Sequence, residues 1–163
     1  MNHHNGLVPD RWPTRTFASI AAVGFALPAY AVGANRGWCT RADARDLTLA
    51  TLRFFWNAPQ GPQASGTTGH AGFFYHFLDL DTGLRFRDTE LSTVDTTILL
   101  MGALFAGQYF DGDDAGEREI RRLANALYER ADWNFFRSDG RSAISMGWHP
   151  EEGLIPALSL IHI

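Results

Sequence analysis

The feature that most constrains the fold is an alternation between two kinds of predicted helix. Residues 17–34 and 92–110 are apolar all round, whereas residues 40–57 and 115–133 combine an apolar face with a charged one. A helix that is apolar all round is buried on every side, while an amphipathic helix turns its polar face to water. The alternation therefore predicts concentric inner and outer layers of helices, which a single antiparallel pair would not need.

The first apolar segment also resembles a secretory leader. Residues 17–34 carry no charge and follow Arg11 and Arg15, a pattern shared by signal peptides and short membrane spans. However, Asp10 interrupts the basic flank, Pro28 interrupts the apolar stretch, and small residues suited to close packing dominate it. We expect a buried helix here, with a signal peptide or a membrane anchor as the alternatives.

Between the second and third helices the sequence predicts a loop followed by a β-hairpin. Residues 60–72 are rich in Gly, Pro, Ser and Thr, so they cannot continue a helix, and loops of this length are often functional. The aromatic run 72–79, the turn residues 81–83 and the alternating segment 84–87 are typical of a short hairpin. The predicted fold class is therefore all-α with a small β-hairpin, in one domain spanning residues 1–163.

Composition excludes several classes of function. The chain has 14 basic and 18 acidic residues and a net charge of −4, which disfavours nucleic acid as a partner. The single cysteine, Cys39, can supply neither an internal disulfide nor a cysteine-based zinc site, and no histidine spacing indicates a metal. Neither a nucleophile elbow nor a lysine-bearing phosphate loop is present. We expect no cofactor and no metal.

Carboxylates and aromatic rings are the remaining candidates for chemistry. Five acidic residues gather in and after the predicted hairpin: Asp79, Asp81, Asp88, Glu90 and Asp95. Hydrolysis of a glycosidic bond needs one protonated carboxyl and one ionised carboxylate. Aromatic residues make up 13% of the chain and suit either a core or a sugar-binding cleft. Structural explanations stay open, because Asp95 can cap a helix that begins near Ser92 and Asp81 can form a turn.

Six sequence blocks are distinctive when they are considered together. They are NGLVPDRWP (5–13), SIAAVGFALPAYAVG (19–33), RGWCTRADA (36–44), GFFYHFLDLDTG (72–83), ELSTVDTTILLMGALFAGQYF (90–110) and MGWHPEEG (146–153). In this order they resemble the glycoamylase-like family, which includes bacterial endo-β-1,2-glucanases and the matching domain of cyclic β-1,2-glucan synthases. The resemblance implies an (α/α)6 toroid and inverting glycoside hydrolysis or a related transfer, with acids on loops at one rim of the inner helices.

The resemblance also implies site residues and a partner. Glu90 and Asp95 would be the catalytic carboxylates, each an acid, a base or a support for water, with Asp10 and Arg11 near the pocket. The candidates for the wall of the cleft are Phe74, Tyr75, His76, Asp79, Trp148 and Glu151. The implied partner is a β-glucan, in particular β-1,2-glucan, or a glucooligosaccharide, and the implied location is the periplasm or cell envelope. The alternative is a non-catalytic carbohydrate-binding module.

Length predicts that the chain holds only part of such a toroid. Similar proteins continue past the block at 147–151 into a segment with another pocket carboxylate, whereas this sequence ends ALSLIHI at 157–163. Twelve helices and their connections need roughly 290 residues. We therefore expect an N-terminal fragment, a partial (α/α)6 toroid that is inactive alone and whose uncovered apolar faces promote self-association.

Overall fold

The computed structural model describes residues 2, 4–11, 13, 16–137, 143–156 and 158–159. Its main elements are the helices α1 (Ile20–Asn35), α2 (Arg41–Asn57), α3 (Thr93–Tyr109) and α4 (Ala115–Arg130), followed by a 3-10 turn at Trp133–Phe136. Helix α1 packs against α3, α2 packs against α4, and each of α2 and α4 also contacts one helix of the α1–α3 pair. The helices thus form two layers, but α1 and α3 are not buried on every side as the alternation predicts, since Phe25 is 68% and Met101 65% exposed.

Each helix begins where the sequence provides a cap. Ser19, Thr40, Ser92 and Asp114 precede the four helices, and each side-chain oxygen accepts a hydrogen bond from a backbone N–H of the first turn. These bonds satisfy donors that have no partner within the helix. Thr40 and Asp43 form a complete capping box, in which each side chain bonds the backbone N–H of the other residue.

Helices α1 and α3 touch through their backbones at two glycines. A Cβ added to Gly24 would lie 2.6 Å from the carbonyl oxygen of Ile98, and one added to Gly102 would overlap the carbonyl oxygen of Gly24. Such a crossing is open only to residues without a side chain. The first apolar segment therefore forms a closely packed helix, in which Ile20 and Leu27 are fully buried. In the described part of the chain, no helix combines the length and hydrophobicity needed to cross a membrane.

The β-structure is more extensive than the sequence predicts. The strands are β1 (Phe17–Ser19), β2 (Gly69–His70), β3 (Phe73–Tyr75), β4 (Phe77–Asp79), β5 (Leu91–Ser92), β6 (Ile144–Ser145), β7 (Gly147–His149), β8 (Gly153–Leu154) and β9 (Leu158–Ser159). Five of them form an antiparallel sheet in the order β2-β3-β5-β7-β8, while β1 pairs with β4 and β6 pairs with β9.

The predicted hairpin is present only in its inner part. Residues 77–79 and 84–86 lie antiparallel across a turn, because the backbone N–H of Asp79 donates to the carbonyl of Leu84 at 2.8 Å and that of Phe86 donates to the carbonyl of Phe77 at 3.0 Å. The aromatic run is instead divided, because β3 pairs with β2 and β5 while β4 pairs with β1. The chain thus contains small sheets beside its helices, and the longest sheet connects the segments that precede and follow α3.

Candidate active site

His76 lies at the junction between β3 and β4, where three segments meet. Its backbone N–H donates to the carbonyl of Glu90 at 2.9 Å, and its own carbonyl accepts from the N–H of Ile20 at 3.2 Å. Glu90 immediately precedes β5, and Ile20 begins α1. The backbone therefore fixes His76 beside the two segments that lead into the apolar helices.

The imidazole of His76 lies between the two predicted catalytic carboxylates. Nδ1 of His76 is 2.8 Å from Oε1 of Glu90, and Nε2 is 3.5 Å from Oδ1 of Asp95. The side chains of His76, Glu90 and Asp95 are 30%, 28% and 16% exposed, respectively, so the cluster is partly accessible to solvent. We call these three residues the acid–histidine cluster.

Asp95 belongs both to a helix cap and to the cluster. The Ser92 hydroxyl accepts from the backbone N–H of Asp95 at 3.1 Å and donates to Oδ2 of Asp95 at 2.5 Å. The other carboxylate oxygen, Oδ1, faces His76. The structural explanation of Asp95 as a capping residue is therefore correct, and it does not remove the carboxylate from the cluster.

The electrostatics of the cluster favour ionised Glu90 and protonated His76. The hydrogen bond with Glu90 raises the pKa of His76, burial opposes this, and the charges of Asp95, Glu90 and Asp10 raise it further. Burial raises the pKa of Glu90, but the hydrogen bond from His76 and the nearby charges of His76 and His149 outweigh it, so the net pKa is lowered. The interaction thus stabilises opposite charges on the two partners.

A row of aromatic rings continues from the cluster. The His76 ring stacks on Phe77 with centroids 3.9 Å apart, Phe77 contacts Phe17 at 4.7 Å, and Phe17 stacks on Phe86 at 5.0 Å. Phe17, Phe77 and Phe86 were not among the residues predicted for the site. Phe17 and Phe77 meet because β1 pairs with β4, a long-range pairing that composition does not indicate.

The N-terminal segment reaches the same region. The backbone N–H of Asp10 donates to the carbonyl of Phe17 at 3.0 Å, and the charge of Asp10 acts on His76. Arg11 is highly exposed and forms an ion pair with Asp10 at 3.1 Å. Asp10 therefore lies close enough for its charge to act on His76, while the place of Asp10 and Arg11 in a pocket stays a prediction. Trp12, in the same sequence block, lies outside the described residues.

Three predicted wall residues have structural roles instead. Phe74 and Tyr75 are fully buried, because the Phe74 ring packs on Phe55 at 4.8 Å and the guanidinium of Arg85 covers the Tyr75 ring at 4.8 Å. Asp79 accepts hydrogen bonds at 2.8 Å from both the backbone N–H and the hydroxyl of Thr82, which close a turn. A sugar has no access to the two buried rings, and the Asp79 carboxylate is engaged locally.

Trp148 lies on β7, and Glu151 lies in the turn between β7 and β8. Trp148 is directly paired with Leu91 and contacts the rings of His70 and Phe135 at 5.4 and 5.5 Å. It is half-buried, so its exposed edge remains a candidate for the cleft wall.

The Glu151 carboxylate binds Arg85 through both oxygens, at 2.6 and 3.1 Å. It also lines an open cavity of about 380 Å³ with Asp88, His149 and Glu152. Among the described residues, no group of three or more His, Cys, Asp or Glu side chains is placed to hold a metal ion.

Proteins of known sequence and structure that are similar to this chain are β-1,2-glucan hydrolases and related proteins. No protein-family model matches the sequence. Over 159 residues the chain is 25% identical to an exo β-1,2-glucooligosaccharide sophorohydrolase (non-reducing end) of Parabacteroides distasonis. The crystal structure of a β-1,2-glucanase from the same species superposes with a TM-score of 0.80 at 25% identity. The resemblance to the glycoamylase-like family is confirmed.

Two further structures agree with this assignment. A protein of Bacteroides uniformis provisionally assigned as a glucoamylase is 28% identical, with a TM-score of 0.78. An endo-β-1,2-glucanase of Chitinophaga pinensis, solved with sophorotriose and glucose, has a TM-score of 0.75 at 18% identity and supports the fold alone.

The alignments cover much less of the relatives than of this chain. They include 92–93% of this chain but 21% of the sophorohydrolase, 21% of the Parabacteroides glucanase and 36% of each of the other two chains. The chain therefore spans about a fifth of the length of its curated relative.

Proposed function

We propose that the chain is the N-terminal part of a glycoside hydrolase that acts on β-1,2-glucan or its oligosaccharides. The observation that carries the proposal is the meeting of Glu90 and Asp95 at one imidazole, in a chain similar to an exo β-1,2-glucooligosaccharide sophorohydrolase. Inverting hydrolysis uses one carboxylate to activate water and one carboxyl to protonate the leaving oxygen. Glu90, held ionised, suits the first role, Asp95 suits the support of the attacking water, and the proton donor is another carboxyl of the intact protein.

The same proposal extends to the fold. We place α1 and α3 on the inner side of a partial (α/α)6 toroid, with α2 and α4 outside. Support comes from large apolar side chains that remain exposed on the first pair: Phe25 is 68% exposed, Met101 65%, and Val32 and Phe105 47% each. Further inner helices would cover these faces in the complete ring.

Residues 1–163 alone are expected to self-associate. Large contiguous apolar surface promotes association in water, and Phe25 and Met101 contribute to it from two adjacent helices. Sedimentation velocity on the isolated chain should give a concentration-dependent distribution of oligomers, and the double variant Phe25→Gln, Met101→Gln should shift it toward monomer. A single monomeric species of the unmodified chain at all concentrations would show that these faces need no cover.

The substrate is tested on the intact gene product that contains these residues. Linear β-1,2-glucan should be cleaved at least about tenfold faster than β-1,3- or β-1,4-glucan, a discrimination of about 1.4 kcal/mol. Proton NMR of the first products should show the inverted anomer. Binding of β-1,2-glucan without any cleavage would instead identify a carbohydrate-binding module. A protein that neither binds nor cleaves β-1,2-glucan would refute the proposal.

A further inference from the structure

We propose that His76 is a positioning residue, which fixes the Glu90 carboxylate in its ionised form and in one orientation so that Glu90 acts as the base. The inference rests on the proposed function, because it assigns one of the two carboxylate roles of that reaction. The sequence predicts His76 as a residue of the cleft wall, whereas the role proposed here is to act on the reaction through Glu90.

The orientation of Glu90 is fixed by two contacts with the same residue. His76 donates its backbone N–H to the Glu90 carbonyl at 2.9 Å, and its Nδ1 lies 2.8 Å from the Glu90 carboxylate. Stacking on Phe77 at 3.9 Å holds the plane of the imidazole. Main chain and side chain of Glu90 are thus tied to one rigid partner, which limits the rotamers that the carboxylate can adopt.

A glycine on the neighbouring strand leaves room for this arrangement. A Cβ at Gly147 would lie 3.0 Å from Cγ of Glu90 and 2.8 Å from the carbonyl oxygen of Leu91. Strand β7 is paired with β5 at this point, Ser92 opposite Gly147. Any side chain at position 147 would therefore push against the Glu90 side chain.

The charged groups around His76 come from three separate elements. Glu90 precedes β5, Asp95 lies in the first turn of α3, and Asp10 lies in the N-terminal segment, while the charge of His149 on β7 also acts on Glu90. Three carboxylates around one imidazole favour the imidazolium. A cation at this place stabilises ionised Glu90 against the cost of its burial.

The balance of the proposed step is simple. A water oxygen bonds to the anomeric carbon, the glycosidic C–O bond breaks, the water proton passes to the Glu90 carboxylate, and the leaving oxygen takes a proton from the general acid. His76 keeps its own proton throughout. Before the reaction begins, His76 keeps the Glu90 carboxylate ionised and oriented toward the attacking water, which is the task of a positioning group.

The first test is NMR titration of the imidazole nitrogens in the chain of residues 1–163. The midpoint for His76 should lie above the ordinary value of about 6.5, and Glu90→Gln should lower it by about half a pH unit or more. His70→Gln is the matched control: His70 packs on Phe135 and Trp148, so its loss should leave the midpoint in place. An unchanged midpoint in Glu90→Gln would overturn the inference.

The second test is the pH dependence of kcat/KM in the intact protein. Activity that requires ionised Glu90 is present above its pKa and is lost as the pH falls through it. His76→Gln removes the largest of the interactions that lower the pKa of Glu90 and so weakens the opposition to burial, which should move the acidic limb to higher pH by about half a unit or more.

Controls separate a positioning role from a structural one. His70→Gln should leave the acidic limb where it is, and an equal midpoint of thermal unfolding should confirm that His76→Gln still folds. Reduced activity of His76→Gln with an unmoved acidic limb would overturn the inference. If the intact protein cleaves no β-glucan, the proposed function fails, and the NMR titration still decides the interaction between His76 and Glu90.

Discussion

Replacing Gly102 by alanine is expected to destabilise the chain by about 3 kcal/mol or more, at the upper end of overpacking effects. A methyl group at this position overlaps the backbone of Gly24 on the facing helix. Backbone atoms cannot rotate away as a flexible side chain can, so α1 and α3 must separate and lose packing along their contact. Since small domains are stable by only about 5–15 kcal/mol, urea unfolding followed by circular dichroism should show a large drop in the midpoint.

A second glycine of the same helix pair provides the control. A Cβ at Gly33 in α1 would meet the Cys39 sulfur at 3.3 Å, and a side-chain atom can shift by a few tenths of an ångström. Gly33→Ala should therefore change stability by no more than about 1 kcal/mol, since alanine also favours the helix by about that amount. Equal stability of the two variants would show that the α1–α3 crossing is not in rigid contact.

The helices were predictable from the sequence because their signals are local. Ser19, Thr40 and Ser92 each lie at the first turn that they cap, so the start of a helix is determined within a few residues. The alternation of apolar and amphipathic helices likewise depends only on spacing within each segment. Neither signal requires knowledge of which segments meet in space.

The sheets could not be predicted in this way. Strands of two or three residues are too short to show a period, and β5 pairs with both β3 and β7, which are distant in sequence. The burial of Phe74 and Tyr75 has the same origin. Neighbouring residues of a strand point to opposite faces of the sheet. If one face of the sheet were in contact with water, either Phe74 or Tyr75 would be exposed. Here Phe55 covers one ring and Arg85 the other.

The site was only partly predictable for a similar reason. Glu90 and Asp95 stand out as acids beside an apolar helix, and the family resemblance implies them. The link through His76 depends on the pairing of β3 with β5, which brings residue 76 to residue 90. The local sequence around His76 indicates only an aromatic strand.

Glu90→Gln is expected to reduce kcat/KM of the intact protein on β-1,2-glucan by about a thousandfold, within the range for loss of a general base. Glutamine has nearly the same shape, and its carbonyl oxygen can still accept from His76, so the contact at 2.8 Å need not be lost. What disappears is the capacity to take a proton from water. Initial rates across substrate concentrations should show the loss in kcat with little change in KM.

Asp95→Asn and Glu129→Gln complete the experiment. The amide oxygen introduced by Asp95→Asn can still accept the hydrogen bond from Ser92, so the cap of α3 should survive, and a loss of about a hundredfold or more would assign a chemical role to the carboxylate. Glu129 lies on the exposed side of α4, and its amide variant should keep wild-type rates within about twofold, as expected for a surface change.

Unchanged rates in both Glu90→Gln and Asp95→Asn would remove these carboxylates from the reaction. A loss confined to Glu90→Gln would instead assign the proton donor to another carboxyl of the intact protein, because inversion needs a second carboxyl and Asp95 would then serve only the helix cap.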